Sequence, residues 1–130
     1  MCFSAAASFG ASATLTGVGV LAARQVTAPN QRAFAAIPVI FAIQQFVEGF
    51  VWLSLTQESW AEWTRLSTLS FLFFAEVLWP MWVPLAMLLL EKDQRTRRIL
   101  RIIFGLGFIF GMHTLYYLLT NAFEAQLMDH

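Results

Sequence analysis

Residues 66–90 read LSTLSFLFFAEVLWPMWVPLAMLLL, a run of 25 residues with one ionisable side chain, Glu76. A helix rises about 1.5 Å per residue, so about 20 apolar residues cross the roughly 30 Å hydrocarbon core of a bilayer. This run is therefore long enough to span a membrane. Three further apolar runs, at about residues 5–23, 34–55 and 99–120, meet the same criterion. The sequence thus predicts four transmembrane helices.

The composition supports a membrane protein. Of the 130 residues, 58% are hydrophobic and 12% are charged, whereas soluble domains carry about 25% charged residues. The net charge is zero, so nothing indicates nucleic-acid binding. The alternating pattern of membrane β-barrels is missing, and helices satisfy their own backbone hydrogen bonds in lipid. We expect an all-α protein, with residues 1–130 forming one membrane domain built as a four-helix bundle.

The basic residues predict the orientation of the chain. Seven of the eight lie in or beside two connections, residues 24–33 and 91–98, and Arg65 lies elsewhere. Cytoplasmic loops carry an excess of Lys and Arg. We therefore expect loops 24–33 and 91–98 to be cytoplasmic and both termini to lie outside.

Three ionisable side chains fall well inside the predicted spans: Glu48, Glu76 and His113. Strongly charged groups at such positions cost at least ~2.5–3.5 kcal/mol on insertion scales, and they mark functional sites by default. Counted from the outer ends of their helices, all three lie roughly 10–15 Å deep. The pattern predicts one polar cluster for ligand binding or proton relay. Its candidate residues are Gln44, Gln45, Glu48, Trp52, Glu76 and His113.

The second span organises this predicted cluster. Gln44, Glu48 and Trp52 are four residues apart and share a helix face, and Gln45 borders it. In the third span Pro80 has no N–H, so the carbonyl of Glu76 loses its helical donor and a kink is expected. The same polar residues could instead form a satisfied network that only stabilises the bundle, and both interpretations remain open.

Small residues mark predicted packing faces on the first and fourth spans. Serines recur every four residues early in the chain, and the fourth span contains a G-x-x-x-G pair. Such patterns let membrane helices approach closely and hydrogen-bond to each other. The predicted packing residues are Ser4, Ser8, Ser12, Gly107 and Gly111.

The sequence contains only weak signals for cofactor binding, thiol chemistry or catalysis. His113 could serve as one axial ligand of a haem or pigment, or as one metal ligand beside carboxylates. The single cysteine, Cys2, is predicted to be a thiol at the outer membrane edge and excludes an internal disulfide. Motifs for a nucleophilic serine, a phosphate loop or a zinc protease are missing. The sequence therefore favours a protein without catalytic activity and identifies no cofactor.

Two segments resemble the signature of an uncharacterised bacterial and archaeal membrane family. They are MCFSAAASF at residues 1–9 and IQQFVEGFVWL at residues 43–53. Members of that family begin Met-Cys-Phe-Ser-Ala and carry Gln-Gln-x-x-Glu-Gly-x-x-Trp in the second helix. The third span, in which Glu76 is followed by Pro80 and Pro84, and the charged loop after it fit the same family.

The resemblance implies a multi-pass protein of the bacterial or archaeal cytoplasmic (inner) membrane. It also implies relatives that continue into further membrane helices, so we expect this chain to be shorter than they are. The family is a domain of unknown function and supplies no activity. Its marked positions correspond here to Cys2, Ser4, Gln45, Glu48, Gly49 and Trp52.

Three functions are compatible with these patterns. The leading hypothesis is a non-enzymatic accessory or structural subunit of a larger membrane complex, of which an energy-transducing complex is one case. The alternative is an oligomeric proton- or ion-coupled carrier using Glu48, Glu76 and His113. The third is haem or pigment binding through His113. The expected partners are the lipid bilayer and other membrane subunits or copies of the same chain.

Overall fold

The computed structural model describes residues 4–121, and this part of the chain is helical almost throughout, with no strand. Four helical stretches are long and apolar enough to cross a membrane: Ala5–Arg24, Pro29–Thr56, Glu58–Leu90 and Gln94–Thr120. The four predicted helices and the all-α class are therefore confirmed, with ends that extend a few residues beyond the apolar runs. The sidedness of the loops and termini stays a prediction.

Within these stretches the helical geometry changes several times. The successive elements are α1 (Ala5–Arg24), a 3-10 turn (Pro29–Gln31), α2 (Arg32–Ala35), α3 (Ile37–Thr56), a 3-10 helix (Glu58–Trp63), α4 (Thr64–Leu72), a π-helical segment (Phe73–Leu78), α5 (Trp79–Leu90) and α6 (Gln94–Thr120).

The four spans pack in chain order as an open row. Helix α1 packs on α3, α3 packs on α4 and the 3-10 helix before it, and α6 packs on α5 and the π-helical segment. Across residues 4–121 no substantial packing joins α1 to α6. The prediction of a four-helix bundle left the lateral order of the helices open, and the structure shows this order. Short connections make consecutive spans antiparallel neighbours, but they do not require the first and last to meet.

Helix α1 approaches α3 closely because small residues line the contact. A Cβ added at Gly19 would lie 2.5 Å from Cγ2 and 3.2 Å from the backbone nitrogen of Val39. The hydroxyl of Ser12 donates to the carbonyl of Ala42 at 2.8 Å. Interhelical hydrogen bonds and close backbone approach are the usual forces that hold membrane helices together.

Helix α6 meets α5 at a carbonyl that a proline has released. Pro84 has no N–H, so the carbonyl of Pro80 lacks its usual donor one turn later. A Cβ added at Gly107 would lie 2.1 Å from that carbonyl oxygen, so a Cα hydrogen of Gly107 faces it. One turn further, Gly111 packs against the carbonyl of Val77 and the side chain of Met81.

The connection between α5 and α6 is a short, well-capped turn. The Asp93 carboxylate accepts hydrogen bonds from the backbone N–H and the hydroxyl of Thr96, at 2.8 and 2.9 Å. The Arg97 guanidinium donates to the carbonyls of Leu88 and Glu91, at 3.1 and 2.8 Å. These bonds satisfy groups that helix ends otherwise leave unpaired.

The third span widens before its first proline. In the π-helical segment hydrogen bonds reach five residues back, and the Trp79 N–H donates to the carbonyl of Phe74. Pro80 follows immediately. We expected the missing Pro80 N–H to produce a kink, and the structure shows a local change of helical register at that place. Such π segments are rare and frequently occur at functional sites.

Candidate functional site

Polar side chains are buried on α3 because this helix has neighbours on two sides. Gln44 and Gln45 are each 6% exposed, and Glu48 is 1% exposed. The small-residue contact with α1 covers one flank of α3, and the third span covers the other. A helix placed between two others has little surface left to turn toward lipid, so its polar face lies in the protein interior.

Two described hydrogen bonds organise these side chains. The Gln45 amide nitrogen donates to Oε2 of Glu48 at 2.8 Å, which is the contact expected of residues three apart on a helix. The Trp79 indole N–H donates to Oε1 of Gln44 and so ties α3 to α5. We call the buried Gln44, Gln45 and Glu48, together with the half-buried Trp79, the buried polar cluster.

The chemistry of the buried polar cluster is that of one carboxyl group among amide and indole groups. The described hydrogen bonds join the Gln45 amide to this carboxyl and the Trp79 indole to the Gln44 amide. Among residues 4–121, no group of three or more His, Cys, Asp and Glu side chains is placed to hold a metal ion.

Trp52 lies one turn beyond Glu48 on the same helix face and is half-buried. Its indole nitrogen is buried and has no hydrogen-bond partner among the described residues. The same is true of the Thr68 hydroxyl on α4. Just beyond them the Ser54 and Ser67 hydroxyls are 3.5 Å apart. The polar character of the interface between α3 and α4 thus continues past the cluster.

Glu76 and His113 are placed differently from Glu48. Both side chains are exposed, and neither makes a hydrogen bond within the part of the chain that the structure describes. On α6 the buried Gly111 faces the third span, and two residues further along, a helix has turned by about 200°. His113 therefore points away from the other spans. Glu76 precedes the buried Val77 in the π-helical segment.

The structure thus brings together three of the six predicted cluster residues, Gln44, Gln45 and Glu48, with Trp52 on the same face. It places Glu76 and His113 on exposed faces of their helices. Depth along a helix can be counted from the sequence, but the side on which a neighbour packs cannot. Equal depth was therefore not sufficient to predict contact.

The predicted packing residues take two roles. Ser8 is fully buried and Ser12 is 8% exposed, both on α1, while Gly107 and Gly111 contact the third span. Ser4 is exposed and instead caps the start of α1, where its hydroxyl oxygen accepts from the Ala7 N–H at 3.2 Å. The predicted thiol, Cys2, lies outside the described residues.

Sequence reasoning missed Trp79 and Phe9. Trp79 lies within a span and not at its end, where tryptophan usually marks the membrane interface, and an indole N–H away from water needs a partner. The position of Trp79 in the middle of an apolar span was the sequence feature that could have identified it as part of the site. The Phe9 ring covers Gly49 and packs edge-on against Phe46 and Phe50, with centroids 5.5 and 5.7 Å apart.

A comparison with protein families identifies the chain's relatives. The model of a family of unknown function, DUF6629, matches residues 1–130. The chain belongs to DUF6629. The predicted membership of an uncharacterised family is therefore confirmed, while the prokaryotic origin and the marked motif positions stay predictions. No curated protein and no solved structure matches this DUF6629 chain.

Proposed function

We propose that this DUF6629 protein is a non-enzymatic subunit of a larger membrane assembly. The observation that supports the proposal is the exposure of Glu76 and His113 on otherwise apolar helices. Ionisable residues inside the bilayer almost always face a protein interior or a water-filled cavity, and they pair with other groups. In an assembly, the surfaces that carry Glu76 and His113 become such interiors.

The depth of both residues supports this argument. His113 lies seven residues before the end of α6 at Thr120, about 10 Å along the helix. Glu76 lies fourteen residues before the end of α5 at Leu90, about 20 Å along the helix. Neither position is close enough to a helix end for these short side chains to reach the water layer easily, so protein contacts are the favourable alternative.

Apolar exposure alone would not distinguish an assembly from a lone membrane protein. Between residues 4 and 121 the buried hydrophobic side chains are few: Ala42, Val51, Val77, Ala86 and Leu118. Many large apolar side chains are exposed along every span. Lipid tails cover such surfaces at no cost, whereas they leave a carboxyl or an imidazole without hydrogen-bond partners. The proposal therefore rests on the exposure of the two ionisable residues, Glu76 and His113.

Chemical labelling of Glu76 tests whether its face is covered. Dicyclohexylcarbodiimide partitions into membranes, and the O–H of a protonated carboxyl adds across its C=N bond to give an O-acylisourea that rearranges to a stable N-acylurea. We expect Glu76 to be protected in native membranes and labelled once the chain is purified alone in detergent. Mass spectrometry of peptides measures the label.

Glu48 is the internal control for this labelling, because at 1% exposure it should remain unlabelled in both samples. The E76Q variant shows which label belongs to Glu76. In parallel, native mass spectrometry after mild extraction should show a stoichiometric partner. Equal labelling of Glu76 in membranes and detergent, together with a bare monomer, would overturn the proposal.

A second candidate function is proton-linked transport, which is supported by the burial of Glu48 within a span. In that case Glu48 exchanges the coupled proton, and E48Q, which keeps the size and an acceptor oxygen for Gln45, abolishes proton-linked flux in vesicles. E58Q is a matched control, since Glu58 is exposed in the 3-10 helix. Flux that persists unchanged in a folded E48Q protein removes this candidate.

A further inference from the structure

We infer that the chain binds one anionic phospholipid in a groove between α1 and α3. In this arrangement the lipid phosphate lies on Arg32 and one acyl chain follows the groove. The inference concerns a different surface from those of Glu76 and His113, and it goes beyond the subunit role without depending on it.

The groove has two sections that share Val39 as a lining residue. The section near the ends of the helices has a volume of about 430 Å³, and the section nearer their middle has about 360 Å³. Both volumes are in the range of small-molecule sites. We call the two sections together the α1–α3 groove. Arg32, Ala23 and Ala36 line its end section, and Ser12, Thr16 and Phe46 line its middle section.

The length of the α1–α3 groove matches one acyl chain. From Ala36 to Phe46 it follows α3 for ten residues, which is about 15 Å along a helix. One leaflet supplies half of the roughly 30 Å hydrocarbon core, which is also about 15 Å. An acyl chain that enters beside Arg32 therefore reaches the middle of the bilayer where the groove ends.

The walls of the α1–α3 groove are suited to hydrocarbon. The Ser12 hydroxyl donates to the Ala42 carbonyl, and the Thr16 hydroxyl donates to the Ser12 carbonyl, both at 2.8 Å. Hydrocarbon against these residues therefore leaves no hydroxyl without an acceptor. The apolar side chains of Val39 and Ile43 complete the wall and are 39% and 48% exposed.

Positive charge at the mouth of the α1–α3 groove determines the headgroup. The Arg32 side chain is exposed, and within residues 4–121 its guanidinium makes no hydrogen bond or ion pair. Arg24, at the end of α1, is in the same state. The sequence contains no Asp or Glu before Glu48. A guanidinium binds the oxygens of a phosphate in a bidentate manner, so an anionic headgroup supplies the missing partner.

The acids of the neighbouring turn between α5 and α6 are engaged elsewhere. The Glu91 carboxylate accepts from the backbone N–H groups of Lys92 and Asp93, at 2.7 and 2.9 Å. The Asp93 carboxylate caps α6 through Thr96. The charge of Arg32 therefore remains available to a ligand.

A lipid fits this combination better than a protein segment does. An acidic peptide could pair with Arg32, but its backbone polar groups would lie unpaired against the apolar groove. The end of the helices that carries Arg32 is also the end predicted to be cytoplasmic, and anionic lipids of the cytoplasmic leaflet attract basic residues at the membrane surface.

Native mass spectrometry of the full chain in detergent tests the inference. The probes are phosphatidylglycerol and phosphatidylcholine with identical acyl chains. We expect one phosphatidylglycerol per chain to be retained in preference to phosphatidylcholine. R32Q should weaken phosphatidylglycerol binding roughly 5-fold and leave phosphatidylcholine unchanged. R65Q is the matched control, since Arg65 is exposed on α4, away from the groove, and it should change neither.

A second variant tests the acyl chain. A36F places a ring in the end section of the groove and should weaken the binding of both lipids, while circular dichroism checks that the variant folds. Equal loss of phosphatidylglycerol from R32Q and R65Q would show attraction by overall charge and overturn the inference. Unchanged binding by a folded A36F, or displacement of the lipid by an equal concentration of inorganic phosphate, would also overturn it. If A36F does not fold, the comparison of R32Q with R65Q decides.

Discussion

Gly107 shows how a single residue sets the distance between two spans. An alanine there would place its Cβ 2.1 Å from the backbone oxygen of Pro80, which cannot move away as a side chain can. We expect Gly107→Ala to destabilise the protein by about 1–3 kcal/mol, the usual cost of overpacking. Thermal unfolding in detergent, followed by circular dichroism, measures the change.

Gly105→Ala is the matched control, because nothing lies within 4 Å of its added Cβ. Alanine favours helix over glycine by up to about 1 kcal/mol, so this variant should be neutral or stabilised. If Gly107→Ala is as stable as Gly105→Ala, α6 does not approach Pro80 as closely as described.

For individual residues, the sequence predicted contacts within a helix better than contacts between helices. The neighbours Gln45 and Glu48 follow from helical periodicity. The bond between Gln44 and Trp79 joins residues 35 apart in the chain, and it depends on how α3 and α5 rotate against each other. The rotation of α6 about its own axis puts His113 outside, which hydropathy does not encode.

Among the helices, the turn between α5 and α6 depends on pH through its cap. The pKa of Asp93 is held below its ordinary value of 3.8, first because the carboxylate accepts from the Thr96 backbone N–H and then because it accepts from the Thr96 hydroxyl. A carboxyl with a lowered folded-state pKa stabilises the fold above its ordinary pKa, and that stabilisation is lost as the pH falls through the folded value.

We therefore expect the native protein to lose stability relative to Asp93→Asn when the pH is lowered from 5 to about 2. Asparagine also caps helices well but does not titrate, so it isolates the contribution of this group. Unfolding of both proteins in the same detergent at each pH measures the difference. A stability difference that stays constant over this range would contradict the role of the cap.

Hydropathy predicted the existence of each span but not its internal geometry. The π-helical segment Phe73–Leu78 differs from an α-helix by one residue in its hydrogen-bond step, and both bury the same apolar composition. Pro80 signalled a disturbance without specifying its form. The span ends extend into polar residues because caps such as Asp93 prolong helices beyond the apolar run.

For the whole molecule, the sequence predicted four helices and left their lateral order open. The observed row leaves α1 and α6 at opposite edges, because Ser8, Ser12 and Gly19 pair α1 with α3 while Gly107 and Gly111 pair α6 with the third span. Ser8, Ser12, Gly107 and Gly111 were predicted to be packing residues, yet each could have met any other helix, and Gly19 was not predicted. Because the four spans form a row, Glu76 and His113 are exposed. A closed bundle would have a larger interior in which such side chains could be buried.

The row has a consequence for biosynthesis. Each span packs mainly on the span made just before it, so the contacts form between neighbours in the chain, and such local contacts form fast. The pair of α1 and α3 can be complete while α6 is still in the ribosome. The edge that carries His113 then reaches the membrane after the three earlier spans, so it meets other chains only after those spans have packed together.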